Sequence, residues 1–240
     1  VRACVCLPTY NEQENIEPML RALGRVLGPD DRVLVIDDGS PDGTGEIAER
    51  LATELPFVDV LQRERKEGLG PAYVAGFERA LAEGAELVLE MDCDFSHDPA
   101  DVPRLIEAAA DADLVLGSRY VEGGGTRDWG LARRAISSGG SLYARLLLGI
   151  PVRDLTGGFK CYRRSVLEAI ELGTISARGY AFQIETTYRA LRAGFRVLEI
   201  PITFSDREVG GSKMSRKIVL EAFWKVPAIR LGHWWPRVEP

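Results

Sequence analysis

The chain has 240 residues, a hydrophobic fraction of 45% and a formal net charge of −6. That length suits one large domain with a sizeable core, and the acidic balance excludes nucleic acid as the main partner. Four cysteines without a C-x-x-C pair fit a reducing, cytoplasmic setting better than a disulfide framework.

The apolar start lacks the charged region, length and cleavage site of a secretory signal. No uninterrupted apolar run reaches the roughly 18–20 residues that span a bilayer. Any contact with a membrane is therefore expected to be peripheral. From residue 207 onward seven Lys/Arg stand against three acids, a basic tail on an acidic body.

In chain order, Val1–Leu7 reads as a buried strand and Arg32–Asp37 as the next. Between them Ile16, Met19, Leu20, Leu23, Val26 and Leu27 recur at helical spacing until Gly28 and Pro29 stop the helix. Asp42 or Thr44 can cap a second helix carrying Ile47, Ala48, Leu51 and Leu55, and Phe57–Leu61 is a third strand. A helix through Val74, Phe77 and Leu81 leads to a strand at Leu87–Met91. Another, with Val102, Leu105 and Ile106, leads to a strand at Asp113–Gly117. This alternation predicts an α/β fold with a doubly wound, mostly parallel sheet. Residues 119–130, rich in glycine and charge, are expected to form a mobile loop. A helix near Leu131–Leu148, a strand near Phe159–Tyr162, a helix around Phe182–Ala193 and a strand near Phe195–Phe204 follow. An amphipathic stretch from Met214 to Leu231 ends the pattern. The expected division is a main domain over 1–212 and an amphipathic helical extension over 213–240.

Ligands of open parallel sheets bind beyond the carboxyl ends of the strands. Three of those ends carry acids and turn residues together: Pro8-Thr9-Tyr10-Asn11-Glu12, Asp37-Asp38-Gly39-Ser40-Pro41-Asp42-Gly43-Thr44, and Asp92-Cys93-Asp94-Phe95-Ser96-His97. No G-x-G-x-x-G follows the first strand and no Walker lysine loop is present, which removes the dinucleotide dehydrogenases and P-loop enzymes. Acidic strand ends instead suggest that a metal handles phosphate charge. Asp92 and Asp94 are two apart, so in extended backbone both carboxylates point the same way and can hold a hard divalent cation. The bland alternative is two solvated loop acids. Asp37 and Asp38 precede a turn whose Gly, Pro and Asp are ordinary turn residues; two adjacent acids ending an apolar strand are not, and a carboxylate there can accept from a base or ribose. Glu90 shares the strand parity of Asp92; a buried position and the orienting of a basic neighbour are open to it, and no role is assigned.

The strings PTYNE, VIDDGSPDGT, MDCDFSHDP, GSRYVEGG, DLTGGFKCYRR, GYAFQIE and PITFSDREVGGSK resemble the family-2 glycosyltransferases. Within them they are similar to the dolichyl- or polyprenyl-phosphate mannose synthases, over residues 4 to 215. The resemblance implies a GT-A fold, with the main domain catalytic and GDP-mannose as donor. Pro8, Tyr10, Glu12, Ile36 and Asp38 would line the nucleoside pocket. Asp92 and Asp94, with Cys93 between them, would hold Mg²⁺ or Mn²⁺ against the diphosphate, and Ser96, where some relatives carry Gln, would complete the metal surroundings. Arg119, Arg133, Arg207 and Lys213 match basic positions that contact phosphates, as Arg and Lys are suited to do; for Arg134 a solvated surface charge is expected. Arg207 and Lys213 flank Gly210-Gly211, placed to close over bound phosphates. Asp154 and Gln183–Glu185 stand where such enzymes put catalytic or acceptor-facing groups, or equally are a turn cap and a helix-surface charge.

The implied acceptor, a polyprenyl phosphate, carries about −1.5 to −2 charges near neutral pH and needs no general base. Attack opposite the leaving nucleoside diphosphate inverts the anomeric centre, so an α-linked donor gives a β-linked product. The tail places Val219, Phe223 and Val226 on one helical face, adds Trp224, Trp234 and Trp235, and has Pro227 to bend or end the helix. It can lie on an anionic membrane surface or pack on the sheet. The expected location is cytoplasmic, peripheral on the inner face of the membrane, which leaves room for a membrane-anchoring partner subunit. The rivals are another family-2 transferase using UDP-glucose or a saccharide acceptor, a nucleotidyltransferase, and a non-catalytic nucleotide or lipid-phosphate binding scaffold. A polymerising Q-x-x-R-W-type motif is absent.

Overall fold

The computed structural model describes residues 2–127, 129–175, 177, 179–206 and 225–230. The first half runs β1 (Ala3–Thr9), α1 (Ile16–Leu23), β2 (Arg32–Asp37), α2 (Thr44–Glu54), β3 (Val58–Gln62), α3 (Leu69–Ala82), β4 (Leu87–Glu90), α4 (Val102–Ala108) and β5 (Leu114–Ser118). The second half runs β6 (Gly125–Thr126), α5 (Leu131–Leu148), β7 (Lys160–Arg163), α6 (Arg164–Ala169), α7 (Tyr180–Arg192), β8 (Val197–Pro201) and β9 (Thr203–Phe204).

Seven strands form one sheet in the order β3-β2-β1-β4-β7-β5-β8. All neighbours are parallel except β7, which runs antiparallel to both β4 and β5. The strand order reverses at β1 and β4, and there the carboxyl ends of three parallel strands open side by side. Parallel strands covered on both faces must be apolar throughout. β1 obeys this and divides by parity: Ala3, Val5 and Leu7 join a core with Ile16, Met19, Leu51 and Leu105 under α1, α2 and α4. Cys4 and Cys6 face the other way, into a core with Tyr73, Phe77, Tyr162 and Phe182 under α3 and α7. All four cysteines are buried thiols.

Several boundaries move for tertiary reasons. α1 ends at Leu23, and Gly24 packs against Phe57 so closely that a Cβ there would sit 2.6 Å from the ring. Part of the expected mobile loop is instead the strand β6, paired parallel to β9. The expected strand Phe195–Phe204 divides at Ile202, whose N–H still reaches Ser118 of β5 (3.1 Å) while its carbonyl accepts from Gly125 (3.0 Å). The chain there leaves the large sheet for β6. α6, at six residues, is too short to show a helical period. Residues 225–230 are helical through Pro227, and Val226 is buried in the core under α3 and α7. The remainder of the tail, with Val219, Phe223, Trp224, Trp234 and Trp235, lies outside the described residues.

Candidate active site

The loops after β1 and β2 are tied to each other by side chains. Asp37 accepts from the Thr9 hydroxyl (3.1 Å), the Ser40 hydroxyl (2.6 Å) and the Ser40 amide (2.9 Å). Asp42 and Thr44 accept from the amides of Gln13 (3.2 Å) and Glu12 (2.9 Å), so the α2 start also braces the loop after β1. Gly39 has φ +68°, and a Cβ there would lie 2.9 Å from the Glu64 carbonyl, so only glycine fits the turn. Asp38 takes the opposite direction and forms a charge-assisted hydrogen bond with Arg63, at the end of β3. Burial raises the Asp38 carboxyl above its ordinary range, and the Arg63 guanidinium opposes that shift. Lys66 covers the ring of half-buried Tyr10 at 3.8 Å.

Of the five residues expected at the nucleoside, Pro8, Tyr10 and Glu12 are half-buried at this edge and Asp38 is buried beside Arg63. Ile36 differs. It is wholly buried against α3, where a Cβ on Gly76 would meet its Cδ1 at 2.4 Å, so it contributes packing rather than surface. Cys93 is likewise a core side chain. Arg63 and Lys66 are absent from the sequence reading; the signal that could have found them was the basic run that follows the third strand.

The D-x-D loop follows β4 directly. Asp94 is 3% exposed, and its Oδ1 accepts from both the Ser96 hydroxyl (2.5 Å) and the Ser96 amide (3.1 Å). Asp92 is half-buried, and its amide donates to Nδ1 of His97 at 3.3 Å. Burial pushes the His97 pKa down to about 4, which keeps the ring neutral and Nδ1 able to accept. Among the described residues no group of three or more His, Cys, Asp or Glu is arranged to hold a metal. Two carboxylates at a strand end nonetheless fit a hard cation of the Mg²⁺ type, which keeps several waters and takes its other oxygens from substrate phosphates.

Arg119, just past β5, is held by Asp154 in a bidentate buried pair, with Nε–Oδ2 at 2.7 Å and Nη2–Oδ1 at 2.6 Å. Thr156 accepts a further bond at 2.9 Å. The Asp154 amide donates in turn to Glu199 of β8 (2.9 Å). The guanidinium lies 5.3 Å from the Tyr120 and Phe204 rings and 5.5 Å from Trp129. Asp154 is therefore the anchor of Arg119. Glu185 pairs with Arg189 along α7 at 2.5 Å. Arg134 is exposed. Arg133 stands in the first turn of α5 with its side chain outside the description, and Arg207 and Lys213 lie outside the described residues.

Glu90 is buried as its parity suggested, and it accepts from the Tyr162 hydroxyl at 2.9 Å. Its basic neighbour is Lys160, opposite it in the β4–β7 register, whose ammonium donates to the Gln183 carbonyl (2.7 Å), Thr186 (3.2 Å) and Thr187 (3.1 Å). Burial lowers Lys160 to about 8 against the pull of the Glu90 and Asp154 carboxylates. Burial raises the Glu90 carboxyl above its ordinary range, opposed by the Lys160 ammonium, the Tyr162 hydroxyl and the Gln183 amide. This lysine bolts α7 onto the middle of the sheet, directly behind the D-x-D strand.

Acid-tipped strands at the switch point of a doubly wound sheet, with a D-x-D after β4 and the buried Arg119 after β5, define a glycosyltransferase of the GT-A type. The glucosyl-3-phosphoglycerate synthase of Mycobacterium tuberculosis, solved with Mn²⁺, UDP-glucose and phosphoglyceric acid, superposes with a TM-score of 0.69 at 21% identity, covering 96% of this chain and 79% of that one. At the sequence level the model of glycosyl transferase family 2 matches residues 4–171. An undecaprenyl-phosphate mannosyltransferase of Micrococcus luteus is 48% identical over 98% of this chain and 96% of its own length. A polyprenol monophosphomannose synthase of Mycolicibacterium smegmatis is 48% identical over 94% and 85% respectively. The chain belongs to glycosyl transferase family 2.

Proposed function

We propose that this chain transfers mannose, with inversion, from GDP-mannose to a polyprenyl phosphate. The observation that carries the reading is the acidic, arginine-flanked edge of the sheet in a chain 48% identical, nearly end to end, to an undecaprenyl-phosphate mannosyltransferase. Tyr10, Glu12 and Asp38, with Arg63 and Lys66 beside them, receive the nucleoside. Asp92 and Asp94 would hold Mg²⁺ or Mn²⁺, with Ser96 fixing the orientation of Asp94. The ion's contribution when bound is to offset charge on the leaving diphosphate, an effect on the order of several kcal/mol.

The residues of the chain do the rest. The acceptor phosphate is already a nucleophile, so no base is needed at the anomeric carbon; the neutral, fully engaged His97 is consistent with that. Arg119, held rigid by Asp154 and shielded by aromatic rings, offers a preorganised positive charge to the phosphates. Arg133, Arg207 and Lys213 would add to it.

The lipid acceptor requires access to a bilayer. Among the described residues no helix is long and apolar enough to cross one. α5, which bonds to the loop after Arg119 through Tyr120 and Ser137 (2.8 Å), exposes Ile136 at 52%, Leu142 at 51% and Leu146 at 70%, with Arg134 and Arg145 exposed beside them. Such a mixed apolar and basic helix suits peripheral attachment to the anionic, cytoplasmic leaflet. Leu142→Ser with Leu146→Ser should release the protein from anionic vesicles in a flotation assay; unchanged flotation would remove α5 from the contact.

The deciding experiment supplies radiolabelled GDP-mannose and a polyprenyl phosphate in detergent, with Mg²⁺, Mn²⁺ or EDTA. Metal-dependent label in the lipid phase is the expected result. Label only from UDP-glucose would overturn the sugar, and none from either donor would overturn the acceptor.

A further inference from the structure

His97 takes no part in the chemistry above, yet it is buried against the D-x-D loop and bonded to it. The loop leaves the sheet abruptly: the Met91 amide still donates to Cys6 of β1 (3.3 Å), while the next amide, that of Asp92, donates to His97. The turn between them forces Phe95 to φ 58°, a left-handed conformation costing an L residue roughly 1–2 kcal/mol. Something must hold such a turn closed. Ser96 ties it to Asp94 from within, and the Ser205 amide reaches the Ser96 carbonyl from beyond β9 (3.1 Å). The imidazole is a further tie, at the Asp92 amide.

Its ring has no freedom to turn. It is 1% exposed, stacks on Phe159 (centroids 4.9 Å apart, planes at 23°) and meets Phe204 edge-on (5.2 Å, 82°). Those contacts aim Nδ1 at the Asp92 amide, from which it accepts. Serine would accept but not stack, and phenylalanine would stack but not accept; histidine does both.

We propose that His97 is a positioning residue for the divalent cation, its Nδ1 anchoring the Asp92 backbone so that the Asp92 and Asp94 carboxylates keep the separation the ion requires. Through Phe204 the same ring couples the metal loop to β9. The inference rests on the assignment of Asp92 and Asp94 as metal-holding residues.

Two substitutions separate anchoring from packing. His97→Phe keeps the ring stack and deletes the acceptor; His97→Asn keeps an acceptor in place of Nδ1 and deletes the stack. Mn²⁺ binding in the presence of GDP is read directly by electron paramagnetic resonance, alongside thermal unfolding and the Mn²⁺ dependence of transfer. His97→Phe should bind Mn²⁺ about tenfold more weakly, the size expected when an outer partner of a metal site is lost, with a melting temperature close to wild type and an unchanged KM for acceptor. His97→Asn should melt lower and bind Mn²⁺ close to the wild-type strength. Wild-type affinity in His97→Phe would overturn the proposal. If the wild type itself binds no Mn²⁺, the metal assignment fails and the inference with it.

Discussion

Two acid pairs stand at the same edge of the sheet and are built to opposite ends. Asp37 and Asp38 are adjacent, so their side chains diverge: Asp37 turns inward to Thr9 and Ser40, and Asp38 turns to Arg63. One carboxylate builds the loop, and the other pairs with the arginine at the end of β3. Asp92 and Asp94 are separated by one residue; Asp94 Oδ1 accepts from the Ser96 hydroxyl and amide, and the Asp92 amide donates to the His97 imidazole. The adjacent acids serve different partners, whereas we propose that the spaced pair shares one cation. The first pair suits a nucleoside, the second a cation.

The sharpest way to break this comparison is to remove the shared ligand. Asp92→Ala and Asp94→Ala should each lower the transfer rate on the order of 10³-fold, the kinetic equivalent of several kcal/mol, with a circular dichroism spectrum that shows the fold intact. Near wild-type turnover in either would return these residues to loop structure. Next in size is Asp154→Ala, which strands the buried Arg119 guanidinium. A loss of about 3–5 kcal/mol in denaturant unfolding is expected. A variant as stable as wild type would show that Arg119 is served by other partners. The mildest test contrasts the adjacent acids. Asp37→Asn should cost about 1 kcal/mol of stability, because it disturbs the turn hydrogen bonds, with little change in donor KM. Asp38→Asn should raise donor KM several-fold at nearly constant kcat, as loss of uniform binding does. Identical effects from the two would erase the division of labour.

Most of the first half could be read from the residues. Apolar runs of strand length alternate there with helical spacing, and each element meets its sheet neighbour soon after in the chain, so local pattern and tertiary placement agree. The acids at the strand ends were visible for the same reason, since parity and turn chemistry are local properties. The second half was less legible. β7 pairs antiparallel between β4 and β5, strands that end about 70 and 42 residues before it; nothing in KCYR announces either partner. β6 exists only because β9 lies beside it. Ile36 and Cys93 match binding motifs in sequence but face the core, and only packing reveals that.

The sequence by itself determined the doubly wound class and the strand ends that carry the acids, because those follow from backbone periodicity within a few residues. The tertiary structure alone decided that Arg63 answers Asp38, that Asp154 anchors Arg119 across 35 residues, and that Lys160 faces Glu90 and grips α7. Those pairings depend on strands and helices brought together from distant parts of the chain. Burial then makes each exacting: a charge removed from water must find its partner with correct geometry, and that partner is chosen by the fold rather than by proximity in sequence.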